Sequence, residues 1–173
     1  INMNKQIIRF ATIEDTAIIL SMIQHLADFE KLSKKVVATE NNLKMTLFGK
    51  RPFAEVLLLE DRQTTETSPV IAGFALFFHN YSTFLAKPGI YLEDLFVLPE
   101  YRGQGFGKKL LIHLASIAMQ RNCGRLDWSV LDWNKEAIRF YENLGATQLN
   151  DWTGCRLTGT ALENLAKQGI NEN

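Results

Sequence analysis

Apolar residues recur along the chain with either a helical or a strand-like period. From Thr12 onward an apolar face repeats at the spacing of an amphipathic helix, and Asp15 stands three residues later as a capping partner. Thr39 opens a second helical segment that Gly49 ends. A third helix is predicted from about Gly107, where apolar residues again return every three or four positions. These patterns predict helices that bury one face against a sheet.

Runs of branched and aromatic residues between these helices predict strands. In chain order, the predicted strands are Gln6 to Arg9, Phe53 to Glu60, Val70 to His79, Ile90 to Leu98, Leu126 to Leu131 and Trp152 to Thr158. The polar segment from Asp61 to Pro69 is predicted to be a hairpin loop. Asn134 is expected to cap a helix that ends at Gly145, and a last helix is expected over Thr160 to Lys167. The order β-α-α-β-β-β-α-β-α-β predicts an α/β fold, in which helices cover both faces of a mixed sheet.

Composition places the chain among ordinary globular proteins. Its 173 residues suit a single domain, 1–173, and 46% of them are hydrophobic. Nineteen basic and nineteen acidic residues cancel, which disfavours a nucleic-acid partner. The longest apolar run, Val70 to Phe78, is too short to cross a membrane, and the N-terminal segment lacks a secretory pattern, so a cytoplasmic location is expected. Ile1 and Asn2 precede Met3 and are expected to be a non-native remnant.

Residues that commonly bind metals are scattered along the chain. Cys123 and Cys155 are isolated from each other in sequence, and no pair among the three histidines has the spacing of a metal site. We therefore expect no metal and no disulfide framework. Buried free thiols are the simpler interpretation of both cysteines.

A glycine-rich segment between the fourth predicted strand and the third helix is the strongest functional signal. It reads Arg-Gly-Gln-Gly-Phe-Gly-Lys over residues 102–108. Glycines let the backbone approach a ligand, and the unpaired amides and dipole of the following helix favour an anion. Lys108 stands where a dinucleotide fingerprint has its third glycine, and Lys109 stands where a Walker loop has Ser or Thr. The segment therefore predicts a pyrophosphate site of another kind, with a plain tight turn as the structural alternative.

Residues 102–107 resemble the central motif of the GNAT superfamily of acyl-CoA-dependent N-acetyltransferases, Gln/Arg-x-x-Gly-x-Gly/Ala. Residues 132–146 resemble the second cofactor segment of that family, with its Asn, its Ala-x-x-Phe-Tyr and its closing Leu-Gly-Ala. Tyr-Leu-Glu-Asp at 91–94, Phe-Glu at 29–30 and Trp-Asn at 133–134 resemble the diamine acetyltransferases, the spermidine/spermine and thialysine enzymes. This resemblance implies the GNAT fold with a mostly antiparallel sheet, acetyl-CoA as the cofactor, a small-molecule amine as the substrate and a homodimer.

The resemblance also implies a cofactor role for each matching residue. Backbone amides around Leu95 to Val97 would bond the pantetheine arm, and one of them would polarise the thioester carbonyl. The implied cofactor-binding residues are Leu95, Phe96, Val97, Arg102, Gly103, Gln104, Gly105, Phe106, Gly107, Lys108, Asn134 and Ala137. Tyr141 matches the proton donor to the coenzyme sulfur, since a phenol is protonated near pH 7. Helical periodicity alone would make Tyr141 a core aromatic, and Asn134 a helix cap.

Carboxylates are expected to attract a cationic amine and to accept its proton. Glu93 and Asp94 are neighbours on a predicted strand, where alternation would let only one of them face the acceptor amine. The resemblance favours Glu93 as the catalytic residue that faces the acceptor and helps to deprotonate the amine, which leaves Asp94 as a structural partner of an amide or a cation. Phe29 and Glu30 match an aromatic–acidic substrate pair, although Glu30 is equally consistent with an exposed helix acid. The expected substrate-binding residues are Phe29, Glu30, Glu93, Asp127, Trp128 and Ser129, with exposure to solvent as the alternative for Asp127 and Ser129.

Two departures from the polyamine enzymes bear on the substrate. Those enzymes carry Asp-Pro-Trp where this chain has Ser82-Thr83-Phe84, and they carry His where this chain has Asp127. We therefore predict an N-acetyltransferase that acetylates a primary amine of a small cationic substrate by direct attack in a ternary complex. The substrate class is a diamine, a polyamine or a lysine-like amino acid, and the departures favour the shorter or amino-acid-like members. A protein, peptide or antibiotic amine as acceptor and a non-catalytic acyl-CoA-binding module are the alternatives.

Overall fold

The structure is a computed structural model that describes residues 6–62 and 69–169. These residues form α1 (Thr16–Phe29), α2 (Glu40–Leu47), α3 (Phe106–Gln120), α4 (Lys135–Asn143) and α5 (Gly159–Gln168), with β1 (Gln6–Phe10), β2 (Glu55–Asp61), β3 (Val70–Ser82), β4 (Lys87–Val97) and β5 (Leu126–Trp128). The chain divides into two compact units, Ile1–Ser129 and Val130–Asn173. No helix within the described ranges has the length and apolar character needed to cross a membrane.

The five strands form one sheet in the order β1-β2-β3-β4-β5. The first four strands pair antiparallel, whereas β5 runs parallel to β4. This arrangement confirms the predicted mixed sheet. The parallel pair is short, because β5 meets β4 only from Ile90 to Leu92. Beyond Leu92, the edge of β4 that faces away from β3 has no strand partner among the described residues.

Strand alternation gives the sheet two faces, and helices pack on both of them. On the face that we call the α1–α2 face, the buried residues form one core cluster, which contains Ile19, Met22, Leu43, Leu47, Val56, Leu58, Phe74 and Phe96. On the opposite face, which we call the α3 face, a Cβ built on Gly73 would lie 3.5 Å from Leu110 Cδ1. Burial of each large apolar side chain stabilises the fold by about 1.5–3 kcal/mol, so both layers hold the sheet in place.

Local capping signals confirm three predicted helix starts. Thr12 N donates to Asp15 Oδ2 over 2.7 Å, and this capping box opens a short 3-10 turn that runs into α1. Thr39 Oγ1 accepts from the amide of the third residue of α2 over 3.2 Å. Asn134 Oδ1 accepts from Ala137 N over 3.2 Å at the start of α4. Each bond satisfies an amide that has no partner inside its helix.

One predicted strand does not form, and another is shorter than predicted. Residues 152–158 form no strand and lie exposed, and β5 ends at Trp128 instead of Leu131. Apolar alternation shows that a segment can pair but not that a partner strand is available to it. Asp61 of the predicted hairpin loop belongs to β2, and positions 63–68 of that loop lie outside the described residues.

Candidate active site

The glycine-rich loop follows β4 after a short 3-10 turn, and its backbone conformation requires glycine at two positions. Gly103 has φ +73° and Gly105 has φ +79°, both in the left-handed region. A Cβ built on either residue would have no heavy atom within 4 Å. Backbone conformation, and not crowding by the protein, therefore accounts for these glycines. The space beside the loop is open to a ligand.

The helix that follows the loop adds anion-binding character. Gly105 is the N-cap of α3, and Lys109 N makes the first helical bond to Gly105 O over 3.0 Å. The amides of Phe106, Gly107 and Lys108 therefore lie in the first turn, without an acceptor inside the helix. An open loop at the positive end of a helix dipole fits a diphosphate. Gly107 lies inside α3 and outside the left-handed region, so its role differs from that of the two loop glycines.

Arg102 connects this loop to the end of β4 and to α1. Its Nε donates to Val97 O over 3.0 Å. Its guanidinium carbon lies 4.6 Å from the ring centre of Phe29 and 5.2 Å from that of Phe96. Stacking of a cation on two aromatic faces is favourable. The end of α1 is thereby held beside the predicted cofactor loop.

A bulge in β4 changes the predicted placement of the two neighbouring acids. Asp94 pairs with Leu76 and Leu92 pairs with Phe77, which leaves Glu93 as the extra residue. A bulge interrupts strand alternation, so the premise that the two acids lie on opposite faces of a regular strand is wrong. The register places Asp94 on the α1–α2 face, two residues from Phe96, while Glu93 is exposed.

Three carboxylates meet at this bulge, and we call Glu30, Glu93 and Asp94 the acidic cluster. Burial, with the nearby charges of Glu93 and Glu30, raises the pKa of Asp94 from 3.8 to about 6. Burial also raises the pKa of Glu30. None of the ion pairs in the described ranges includes any of the three. Asp94 has no hydrogen-bonded amide or paired cation there either, so its predicted structural role is not supported, and a cationic ligand would compensate the cluster.

A second polar group lies farther along the same face. Asp127 Oδ2 accepts from Asn80 Nδ2 over 2.9 Å and pairs with Arg125 Nε at 2.7 Å. The hydroxyls of Tyr91 and Ser129 are 2.8 Å apart. Tyr91 on β4 pairs with Asp127 on β5 and with Phe78 on β3, whereas Asp94 pairs with Leu76 on β3. Phe78 and Leu76 are two residues apart on one strand, so Tyr91 and Asp94 lie on the same face of the sheet. The structure thus brings Asp127 and Ser129 to the face that carries Asp94.

Sequence reasoning missed three residues of this polar group. Asn80 lies on β3, Tyr91 lies on β4 and Arg125 immediately precedes β5, and only the sheet register brings them together. Two of the three carried a usable signal: Tyr91 begins the Tyr-Leu-Glu-Asp segment, and strand alternation puts Arg125 on the same side as Asp127. Trp128, predicted to bind substrate, pairs with Leu92 and so belongs to the α3 face.

The second compact unit contains the remaining predicted residues. Tyr141 lies on α4, where its ring centre is 5.3 Å from that of Phe140. Burial raises the pKa of the Tyr141 phenol above 10.0, which keeps it protonated at neutral pH. Such a group can donate a proton but cannot act as a base there. Asn134 and Ala137 form the hydrogen-bonded cap of α4.

Comparison with known proteins decides the family. The model of the acetyltransferase (GNAT) family matches residues 23–146. The L-ornithine N5-acetyltransferase NATA1 of Arabidopsis thaliana is 40% identical over 202 aligned positions, which cover 94% of this chain and 89% of that protein. The thialysine N-epsilon-acetyltransferase of Mus musculus is 38% identical over 164 positions, which cover 92% and 96%. This chain belongs to the GNAT acetyltransferase family.

Solved structures show the same GNAT fold. An integron cassette protein from the mobile metagenome of V. cholerae aligns with a TM-score of 0.77 at 26% identity, over 94% of this chain and 98% of that one. An aminoglycoside acetyltransferase from an uncultured soil metagenomic sample aligns with a TM-score of 0.72 at 17% identity, over 91% and 98%. The predicted family, fold and enzyme class are confirmed: the protein is a GNAT N-acetyltransferase, and this family transfers acetyl groups to amines, generally from acetyl-CoA.

Proposed function

We propose that this GNAT enzyme acetylates the terminal amine of a small cationic substrate, and that an amino acid of the ornithine or thialysine type is the preferred one. The uncompensated acidic cluster on the α1–α2 face carries this proposal. Three carboxylates that have no paired cation among the described residues attract an ammonium group. The relatives named for ornithine and thialysine align over more than nine-tenths of the chain, which supports the amino-acid class over a long polyamine.

The loop and the free edge of β4 fit acetyl-CoA. The residues proposed to hold it are Leu95, Phe96, Val97, Arg102, Gly103, Gln104, Gly105, Phe106, Gly107, Lys108, Asn134 and Ala137. The left-handed glycines and the first-turn amides of α3 suit its diphosphate. The edge of β4 beyond Leu92, which has no strand partner among the described residues, suits its amide-containing arm. When bound, acetyl-CoA supplies an acetyl group activated as a thioester.

The protein residues have separate roles in the proposed reaction. Asp94 and Glu30 hold the ammonium end of the substrate, and Glu93 accepts its proton, directly or through water, so that the amine becomes a nucleophile. Tyr141 donates its phenolic proton where the thiolate leaves, which its raised pKa permits. Phe29, stacked under Arg102, keeps the end of α1 and therefore Glu30 in place. Asp127 and Ser129 bind the far end of the substrate.

We further propose that both compact units work as one acetyltransferase domain. The family match runs from residue 23 to residue 146 and so crosses the division after Ser129. Proton donation by Tyr141 needs this arrangement. Limited proteolysis tests it: acetyl-CoA should protect the chain around Ser129 from cleavage, and unchanged cleavage would contradict the proposal.

A homodimer is proposed as the working assembly. Support comes from the outer edge of β5, which has no strand partner in the described part of the chain, and from exposed apolar residues in the second unit, such as Trp152, which is 80% exposed. Sedimentation should give the mass of two chains. The mass of one chain would refute the dimer.

An assay of thiol release with a panel of amines tests the function. Ornithine, thialysine, lysine, putrescine, spermidine and a lysine-containing peptide would be compared at saturating acetyl-CoA. We expect the highest kcat/KM with the amino acids that carry a terminal amine. Release only with the peptide would favour a protein acceptor, and binding of acetyl-CoA without release on any amine would identify a non-catalytic binding module. Either result would reject the proposal.

A further inference from the structure

In the ion pair at the far end of the α1–α2 face, Asp127 and Arg125 each have one polar atom with no partner in the described part of the chain. Both contacts of the Asp127 carboxylate, from Asn80 and from Arg125, go to Oδ2. No hydrogen bond in the described part of the chain uses Asp127 Oδ1. Arg125 uses Nε for Asp127 and Nη2 for a 3.4 Å contact to Tyr81 O, which leaves Nη1 without a partner in those residues. A guanidinium has five N–H donors, so donors are available to a ligand.

Both members of the pair are accessible and held in place. The Arg125 side chain is 41% exposed and that of Asp127 is 27% exposed. Asn80 fixes the carboxylate from β3, since its Nδ2 donates to Oδ2, and Asn80 Oδ1 is buried without a partner in the described residues. Gly89 makes this packing possible, because a Cβ there would lie 2.3 Å from Asn80 Oδ1. The carboxylate and the guanidinium therefore have defined positions before any ligand arrives.

The pair lies a short distance from the acidic cluster. Asp127 pairs with Tyr91, and Asp94 follows Tyr91 by three residues on the same face, with the bulge between them. Strand residues advance by about 3.3 Å each, so the two groups are separated by about 7–10 Å along β4. A substrate with a few methylene groups between its two polar ends fits this separation.

We propose that Arg125 and Asp127 form a subsite for the α-carboxylate and the α-ammonium group of an amino acid whose terminal amine is acetylated. Arg125 Nη1 donates to the α-carboxylate, and Asp127 Oδ1 accepts from the α-ammonium group. The subsite rests on the proposed function, because it concerns the far end of the same substrate. It selects amino acids over diamines, since a diamine has no carboxylate to satisfy the guanidinium.

Ornithine and putrescine provide a matched test, because putrescine is ornithine without its carboxylate. For Arg125→Gln we expect kcat/KM with ornithine to fall about 10- to 100-fold, mainly through KM, which is the effect of losing a charge-assisted hydrogen bond. The value with putrescine should not fall, because its second ammonium group binds Asp127 and the variant removes the cation that competes for that carboxylate. Arg125→Lys should recover part of the loss, because it keeps the charge without the planar fork. Arg51→Gln, an exposed site, is the matched control.

A second probe measures binding at the subsite without turnover. L-norvaline has the carbon chain of ornithine but no terminal amine, so it should compete with ornithine in the wild-type enzyme and much more weakly in Arg125→Gln. If the Gln variant is too unstable to assay, competition between norvaline and ornithine in the wild-type enzyme tests the subsite alone. A lack of competition there overturns the subsite.

The outcomes separate this inference from the function on which it rests. If Arg125→Gln loses kcat/KM equally with ornithine and putrescine, or loses it with neither, the subsite is overturned. Acetylation of both amines by the wild-type enzyme would still uphold the proposed function. A wild-type enzyme that binds acetyl-CoA and acetylates neither amine rejects the proposed function, and the subsite with it.

Discussion

Replacement of Asp94 by Asn should raise the stability of the folded protein and weaken its binding of the amine substrate. Asp94 is largely buried on the α1–α2 face beside Glu93 and Glu30, and none of the described cations compensates it. Asparagine has nearly the same shape and no charge. The variant therefore removes the electrostatic cost of the acidic cluster and leaves the packing around β4 intact.

The magnitude follows from the pKa of Asp94, which is about 6 in the folded protein against an ordinary value of 3.8. Because the folded state binds this proton more tightly, stability falls as the pH rises from about 3.8 to about 6 and stays lower above that window. At about 1.4 kcal/mol per tenfold change in proton affinity, the ionised Asp94 costs up to about 3 kcal/mol at pH 7.5. For a chain of this size that cost corresponds to roughly 6–12 °C in Tm.

Thermal unfolding of wild type and Asp94→Asn across pH tests this reasoning. The stability gain of the variant should be largest at pH 7.5, about half as large at pH 5, and absent near pH 3.5. Asp151→Asn, at an exposed position, is the matched control and should change Tm little at any pH. In the thiol-release assay, Asp94→Asn should raise KM for the amine about tenfold or more without changing acetyl-CoA binding. A gain that does not vary with pH, or a variant less stable than wild type at pH 7.5, would refute the argument.

Three further predictions concern the other parts of the enzyme. Tyr141→Phe should lower kcat about 100-fold or more while the Kd for acetyl-CoA, measured by calorimetry, stays within about twofold; an unchanged kcat would remove Tyr141 from the mechanism. Gly105→Ala should cost about 1–2 kcal/mol and weaken acetyl-CoA binding because φ is +79°, whereas Gly107→Ala, inside α3, should be tolerated; equal effects in urea unfolding and calorimetry would contradict this. Arg9 hydrogen-bonds Asp15, lowers its pKa from 3.8 to about 2, and pairs with the buried Glu60. Arg9→Met should therefore lose about 1.5–3 kcal/mol at pH 7, with a smaller loss as the pH falls through about 2; a loss independent of pH in urea unfolding would refute the role of Asp15.

Helix starts and the glycine-rich loop before α3 were predictable from the sequence because they depend on residues only a few positions apart. The caps at Thr39 and Asn134 each involve an amide three residues later, and both form as predicted. The wrong strand over residues 152–158 shows the limit of such signals. Strand formation requires a partner, and partner availability depends on the rest of the fold.

The sequence by itself determined the family, the glycine-rich loop between β4 and α3 and the presence of acids before it, because glycine conformation and helix-terminal amides are local properties. Only the tertiary structure decided how these acids are arranged. The bulge at Glu93 depends on how β4 pairs with β3, and the charge of Glu30 reaches Asp94 only when α1 packs on the sheet. Asn80 and Asp127 are 47 residues apart in sequence, and the register of β3, β4 and β5 brings them within 2.9 Å. Sheet register is set by burial of whole faces, so no short motif encodes these contacts.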